Sequence, residues 1–479
     1  MAASEPRTLV SHPELASHKS FPSFRTIGEA PKSRLERVLS VFADVRAGEG
    51  LGAILLAINV FVLLAAYNLL KPARDGLILA EGSAELKSYS AAAQAVLLMA
   101  VVPLYGWMVS GVSRARLIGL SGLFFAANLF IFAVAGRAGA REGIAFYIWM
   151  GIFNVFVISQ FWAFANDLYT EGQGRRLFPL IGVGASLGAW VGAATVEPLV
   201  AGLGYTPYTL MIIGAVALLG AVGLTLVVNR RESGLPRRSA EGAKAGRHDD
   251  PLARESAQIA SAPIGKQGAF ELIFKDRYLF WIAILMVLLN VVNTTGGYLL
   301  DRLVAHEAIV QVGAGDALEL SRKQFITAYS GSIIATVNLV GFLLQLFVAS
   351  RVMKFMGVRG GLFILPLLAL VNYSVIAVAP ILAIVRIGKI LENATDYSIQ
   401  NTVRQALWLP TSREAKYKAK AAVDTFFMRM GDVLSAGFVR IGATISAGTP
   451  AFAWLNVGLT AVWLAVAGQI AKEHRKKTV

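Results

Sequence analysis

The chain has 479 residues, 56% of them hydrophobic and 16% charged, with 45 Lys and Arg against 30 Asp and Glu, and no Cys. Soluble domains carry about 25% charged residues, so a cytosolic enzyme of ordinary composition is excluded, as are disorder, a collagen-like repeat and a coiled coil. Without Cys there are no disulfides, thiolate zinc sites or cysteine nucleophiles, and five scattered His leave little for a metal site. The composition is that of a membrane protein, with no cofactor implied.

A spanning helix needs about 20 mostly apolar residues. Residues 1–48 contain no such run and no signal-peptide pattern. Within them Leu35, Val38, Leu39, Val41 and Phe42 recur at helical spacing among Arg34, Arg37 and Arg46, which predicts an amphipathic helix on the inner membrane surface. Six spans follow, at Leu51–Leu70, Ala91–Met108, Leu117–Ala135, Ile144–Ala165, Leu177–Leu199 and Leu210–Val228. Residues 229–268 are basic and rich in Ser, Ala and Gly, the composition of a flexible tether. Six more spans are expected at Leu279–Leu300, Phe325–Ala349, Leu362–Val378, Ile381–Ile399, Ala421–Ile445 and Phe452–Ala471.

The Lys/Arg excess supports this count, because cytoplasmic loops carry it. Arg114 and Arg116, Arg175 and Arg176, the tether, Arg351, Lys354 and Arg359, and the run from Arg404 to Lys420 all fall on one side. Both ends are therefore expected in the cytoplasm, and the net charge of +15 is mainly a topology signal rather than a nucleic-acid footprint. The predicted units are a tail at 1–48, a first half at 49–228, the linker at 229–268, a second half at 269–472 and a basic tail at 473–479. An all-α membrane protein of about twelve helices in two six-helix halves is major-facilitator-like by fold analogy, with a site expected near the midplane between the halves.

A charge at bilayer depth costs about 2.5–3.5 kcal/mol on insertion scales, so buried charges are functional candidates. Lys71, Arg74 and Asp75 fall at the outer end of the first span, where Pro72 is expected to loosen the backbone. In the tenth span lie Arg386, Lys389, Glu392 and Asp396; Lys389 falls about 13 Å along the helix from the outer turn. The eleventh span has Asp424, Arg429, Asp432 and Arg440, with Arg429 and Asp432 one turn apart. Asn154, Gln160, Asn290 and Asn293 interrupt the fourth and seventh spans. Cations outnumber acids in these groups, which suits a pathway for an anion, with Asp75, Asp432 or Glu392 available to carry a proton. Internal salt bridges between helices are the structural alternative. Glycines at 184, 188 and 192 share one helical face, which fits close helix packing; no Lys-Ser/Thr end supports a phosphate loop.

The stretch Phe161-Trp-Ala-Phe-Ala-Asn-Asp through Phe178-Pro-Leu-Ile-Gly-Val-Gly-Ala-Ser resembles the non-mitochondrial ATP/ADP translocase family of plastids and intracellular bacteria. Lys71-Pro-Ala-Arg-Asp-Gly-Leu, Ala394-Thr-Asp-Tyr-Ser and Lys418-Ala-Lys-Ala-Ala-Val-Asp are similar to further segments of that family. The resemblance implies a nucleotide transporter related in architecture to the major facilitators. It places the family's first-helix lysine at Arg74. Two family glutamates fall near Met150 and Asn293, and a late lysine falls near Asp432, so those charges are absent or reversed here.

The expected function is secondary transport of an anionic solute, a nucleotide or organic phosphate, by alternating access, with ATP/ADP exchange as one form. Arg74, Lys389 and Arg429 would hold the anion, and Asn154 and Asn293 would orient it. Lys71, Asp75, Arg386, Glu392, Asp432 and Arg440 would gate or couple. The expected partners are that small anion and the lipid bilayer, in a bacterial inner membrane. The alternatives are a proton-coupled carrier of another metabolite and a non-transporting scaffold or receptor; a membrane enzyme lacks any nucleophile motif.

Overall fold

The computed structural model describes residues 32–40, 44–46, 48–109, 114–169, 171–233 and 268–478, which contain helices and connections but no strand. The first half is built from α1 (Gly50–Glu81), α2 (Ala84–Val109), α3 (Arg114–Arg137), α4 (Gly143–Leu168), α5 (Glu171–Ala194) and α6 (Pro207–Ser233). The second half has α7 (Arg277–Val312), α8 (Glu319–Phe347), α9 (Ile364–Val378), α10 (Leu382–Thr395), α11 (Met428–Thr444) and α12 (Thr449–Thr478). Among the described residues nine helices are long and apolar enough to cross a membrane. The remaining rods, α2 and the charge-bearing α10 and α11, complete the twelve that the sequence predicts.

The outside of the bundle is apolar. On α3, Leu120, Leu123, Phe124, Phe130 and Ile131 are all 57–62% exposed, a continuous greasy face that water would penalise and lipid tails would not. Inside, each half has its own core. Phe125, Phe146, Trp149 and Phe153 interlock in the first, with the Trp149 and Phe153 rings stacked at 5.2 Å. Tyr278, Tyr373 and Trp463 anchor the second.

Glycine spacing brings two helix backbones close together. A methyl group at Gly184, Gly188 or Gly192 of α5 would lie 2.5, 2.2 and 2.2 Å from the carbonyl oxygens of Ala57, Phe61 and Ala65 of α1. Both helices step by one turn, so the two backbones run together over three contacts, and the packing reading of these glycines is the one observed. The halves meet where α8 crosses α1 and α5, and where α2 crosses α11.

Several boundaries differ from expectation. α1 continues as helix through Pro72 to Glu81, so Lys71, Arg74 and Asp75 lie inside the rod instead of at a frayed end; neighbouring helices tolerate the missing N–H. α7 runs on to Val312, which shrinks the expected long connection around 301–323 to a short turn before α8. The tenth and eleventh spans are broken by π-helical turns at Asp396–Gln400, Ala415–Ala419 and Val423–Phe427. At the N-terminus the helix is Arg34–Leu39; Leu39 and Val45 pack on Ala53 and Leu177, while Val41 and Phe42 lie outside the described residues. Most of the expected tether, residues 234–267, also lies outside them. The C-terminal residues 473–478 are not a separate tail, because α12 carries them as helix.

Candidate functional site

A cavity of about 230 Å³ lies between the halves, and Lys71, Asp75, Lys87, Asn293, Asp301 and Lys389 are in its wall. Six rods supply the lining. Lys71 and Asp75 are one turn apart on α1, Lys87 comes from the start of α2, Asn293 and Asp301 from α7, and Lys389 from α10. Tyr147 of α4 and Ser330 of α8 complete the surround.

These charges form two buried groups. In the first, the Arg74 guanidinium donates to Asp75 Oδ1 through Nη2 at 2.8 Å and Nε at 3.0 Å, and stacks 4.6 Å over the Tyr147 ring. Lys87 Nζ sits 3.1 Å from Asp75 Oδ1 and 2.8 Å from Asp301 Oδ1, so one ammonium joins α1 and α2 of the first half to α7 of the second. In the second group, Lys389 Nζ donates to Asn293 Oδ1 at 2.8 Å, to Asn293 O at 3.1 Å and to Glu392 Oε1 at 3.0 Å. The Tyr373 hydroxyl donates to Glu392 Oε2 at 2.8 Å. Lys389 is 1% exposed and Glu392 3%, and all three ammonium protons of Lys389 are engaged.

The other expected residues are placed differently. Arg429 Nη1 faces Asp432 Oδ2 at 3.4 Å, and Asp432 Oδ1 also accepts from Asn290 at 2.8 Å and Thr294 at 3.0 Å; this cluster ties α11 to α7 behind the cavity wall, which it reaches through Thr294. Arg386 reaches Ser332 Oγ at 3.1 Å and lies 5.0 Å over the Tyr329 ring of α8. Arg440 is exposed near the end of α11. Asn154 is absent from the wall, although its Oδ1 is buried without a partner. Of the four cations expected in surplus on α10 and α11, Lys389 meets Glu392 and Arg429 meets Asp432, whereas Arg386 and Arg440 make no ion pair among the described residues.

Beyond the cavity one end of the bundle is closed. Lys323 of α8 makes three contacts, to Glu81 Oε1 at 2.7 Å, Glu319 Oε1 at 2.8 Å and the Tyr208 hydroxyl at 2.9 Å. Tyr298 of α7 donates to Glu85 of α2 at 2.6 Å. At the opposite end Arg176 pairs with Glu49 and Lys477 with Asp276. Lys323→Met would leave Glu81, Glu319 and Glu142 facing one another without their cation. The expected result is a rise of roughly tenfold or more in labelling of a cysteine placed at Ser330, read with a membrane-impermeant thiol reagent; the native chain offers no competing thiol. An unchanged labelling rate would show that Lys323 does not hold this end shut.

Glu142, in the connection before α4, is 6% exposed and its Oε1 has no hydrogen-bond partner. The charged and titratable groups around it are Glu81 of α1, Lys323 and Glu319 of α8, and Tyr208 of α6. Burial and then the Glu81 carboxylate push its pKa up to about 7, with Lys323 opposing. Because the closed arrangement holds this proton more tightly than a solvated carboxyl would, it is favoured below the ordinary carboxyl range and weakened as pH rises through about 7. Relative to a fully exposed cysteine labelled in parallel, which removes the rise of the thiolate fraction with pH, the Ser330 cysteine is expected to react faster at pH 8 than at pH 6, and Glu142→Gln should flatten that difference.

Sequence reasoning missed Lys87, Asp301, Lys323, Glu81 and Glu142, because spans drawn from apolar runs left them in connections. The available signal was the absence of Gly and Pro from Tyr298 to Val312, which argues that the helix continues.

Residues 144–474 match the family described as TLC ATP/ADP transporter. Over 367 residues the chain is 21% identical to ADP,ATP carrier protein 1 of Chlamydia pneumoniae and 22% identical to that of Chlamydia muridarum. The alignments cover 68% of this chain, and 66% and 64% of the two carriers, so the chain spans just under two thirds of their length. Among solved structures, a POT family transporter in complex with 5-aminolevulinic acid superimposes with a TM-score of 0.61 at 12% identity, covering 88% of this chain and 96% of that one. The nucleoside transporter NupG gives 0.55 at 14%, covering 87% and 98%. The fold is thus major-facilitator-like, that of an integral membrane protein. With two helical bundles around a charged cavity and a match that runs from α4 to the end of α12, the chain belongs to the TLC ATP/ADP transporter family.

Proposed function

We propose that the protein moves an anionic solute, a nucleotide or another organic phosphate, across a bacterial inner membrane by alternating access, with both chain ends in the cytoplasm. The observation that carries this reading is the cavity itself: cations from both halves line it, and ion pairs between the halves close one end. Family membership and the chlamydial carriers support a nucleotide-like cargo, and the distribution of Lys and Arg supports the orientation. Lys71 and Lys389 are the proposed anion-facing groups, with Arg74 behind them on Asp75 and Asn293 orienting both Lys389 and the cargo. Asp75, Glu392 and the Lys87 bridge change partners as the halves rock. Arg386, Arg429, Asp432 and Arg440 act at the helix joints, and Asn154 supplies an unpaired amide oxygen behind the first half.

Exchange of ATP for ADP is the finer form of this reading. Proton-coupled movement of another metabolite is favoured instead by the uncharged Met150 and Asn293, where the family resemblance places carboxylates. Uptake of labelled ATP, ADP and phosphate monoesters into proteoliposomes, with and without internal nucleotide and with and without a pH gradient, separates the two. Stimulation by internal nucleotide supports exchange, dependence on the gradient supports proton coupling, and no uptake of any anion sinks the proposal.

A further inference from the structure

We infer that the cargo presents one anionic group rather than a polyphosphate chain, and that Lys71 with Ser88 is the subsite that takes it. This rests on the transport reading above and narrows its substrate class. Lys71, Asp75, Lys87, Asp301 and Lys389 line the cavity, and Arg74 and Glu392 pair with lining residues from behind it. Lys87 is held between Asp75 and Asp301, Arg74 lies on Asp75, and Lys389 lies on Glu392. Three carboxylates therefore answer three of the four cations. The fourth, Lys71, lines the cavity half-buried and, among the described residues, makes no ion pair or hydrogen bond.

A second observation stands beside it. Ser88 of α2 lines the same cavity, is 6% exposed, and its hydroxyl is buried with no hydrogen-bond partner. Buried hydroxyls are rarely left unpaired. An anionic oxygen between α1 and α2 would satisfy both the lone ammonium and the orphan hydroxyl, the charge-assisted arrangement that a single phosphate monoester or carboxylate needs. A diphosphate or triphosphate would bring several more negative charges into a wall whose remaining cations are already neutralised, and buried charge without a partner is strongly disfavoured.

The test uses the purified full chain in proteoliposomes and compares a nucleoside with its mono-, di- and triphosphate, a sugar monophosphate and a monocarboxylate as competitors of uptake. The monophosphate is expected to compete at least about tenfold better than the triphosphate. Lys71→Gln should remove roughly tenfold or more of that affinity while leaving the uncharged nucleoside unchanged, and Lys71→Arg should restore it. Ser88→Ala should weaken the monophosphate in the same direction. Asp301→Asn, which frees one more positive charge, should move the preference towards the diphosphate. Lys71 leaves no partner stranded when replaced, so its variants are expected to fold, and thermal unfolding checks this. Preference for the triphosphate in the native chain, or an unaltered charge ranking in Lys71→Gln, overturns the inference and leaves transport standing. No competition by any anion overturns the transport reading along with it.

Discussion

Lys389→Met is expected to abolish transport and to destabilise the protein by about 3–5 kcal/mol. The ammonium is fully buried on α10 and spends its three protons on Asn293 and Glu392. Removing it leaves the Glu392 carboxylate 3% exposed with the Tyr373 hydroxyl as its remaining donor. A buried charge stripped of its counter-ion is far worse than no charge at all. The double variant Lys389→Met with Glu392→Gln is therefore expected to recover most of the lost stability without recovering transport. Thermal unfolding and uptake, measured on the same preparations, separate the two effects. Normal uptake by Lys389→Met would remove this residue from the transport site.

Gly188→Ala is expected to prevent accumulation of folded protein. The added methyl would stand 2.2 Å from Phe61 O and 2.7 Å from Phe61 Cα, and a backbone cannot swing aside as a side chain can. Overpacking a well-fitted core costs about 1–3 kcal/mol and more where nothing can move. Here the α1–α5 seam repeats the contact at Gly184 and Gly192, so relief at one turn would disturb its neighbours. Gly182→Ala is the internal control: it lies on the same helix with nothing within 4 Å of the new methyl, and it should fold normally. Equal yields and unfolding temperatures for the two variants would show that the seam is looser than described.

The sequence was a good guide to what lipid enforces and a poor one to where charges meet. Apolar runs and the Lys/Arg bias are dictated by the bilayer itself, so the rods could be counted from them. The glycine face at 184, 188 and 192 was legible for a similar reason, because one-turn spacing admits few meanings. Pairing was not legible. Lys389 and Glu392 are near neighbours in sequence, yet Asn293, which positions Lys389, is 96 residues away. Lys87 and Asp301 are 214 apart. Such meetings depend on how α2, α7 and α10 cross, which no local pattern records. Two of the cations read as surplus on α10 and α11, Lys389 and Arg429, proved to be matched there, while Lys71 on α1, read as a gating residue, lines the cavity without an ion pair.

π-Turns fall unevenly on the two halves, one at Pro198–Gly202 after α5 and three in the second half. α1 and α5 are seamed backbone to backbone, whereas the tenth and eleventh rods are interrupted by π-turns at Asp396–Gln400, Ala415–Ala419 and Val423–Phe427. A π-turn holds one residue more than the helix around it needs, and that slack can pass along the rod by exchange of carbonyl partners without the rod melting. Beside one such turn the Gln400 amide is fully buried with neither its nitrogen nor its oxygen satisfied, a local mismatch that a shifted register would relieve. With three of the four described π-turns on the tenth and eleventh rods, a carrier assembled this way would rock more by sliding two pliant staves than by tilting two identical blocks.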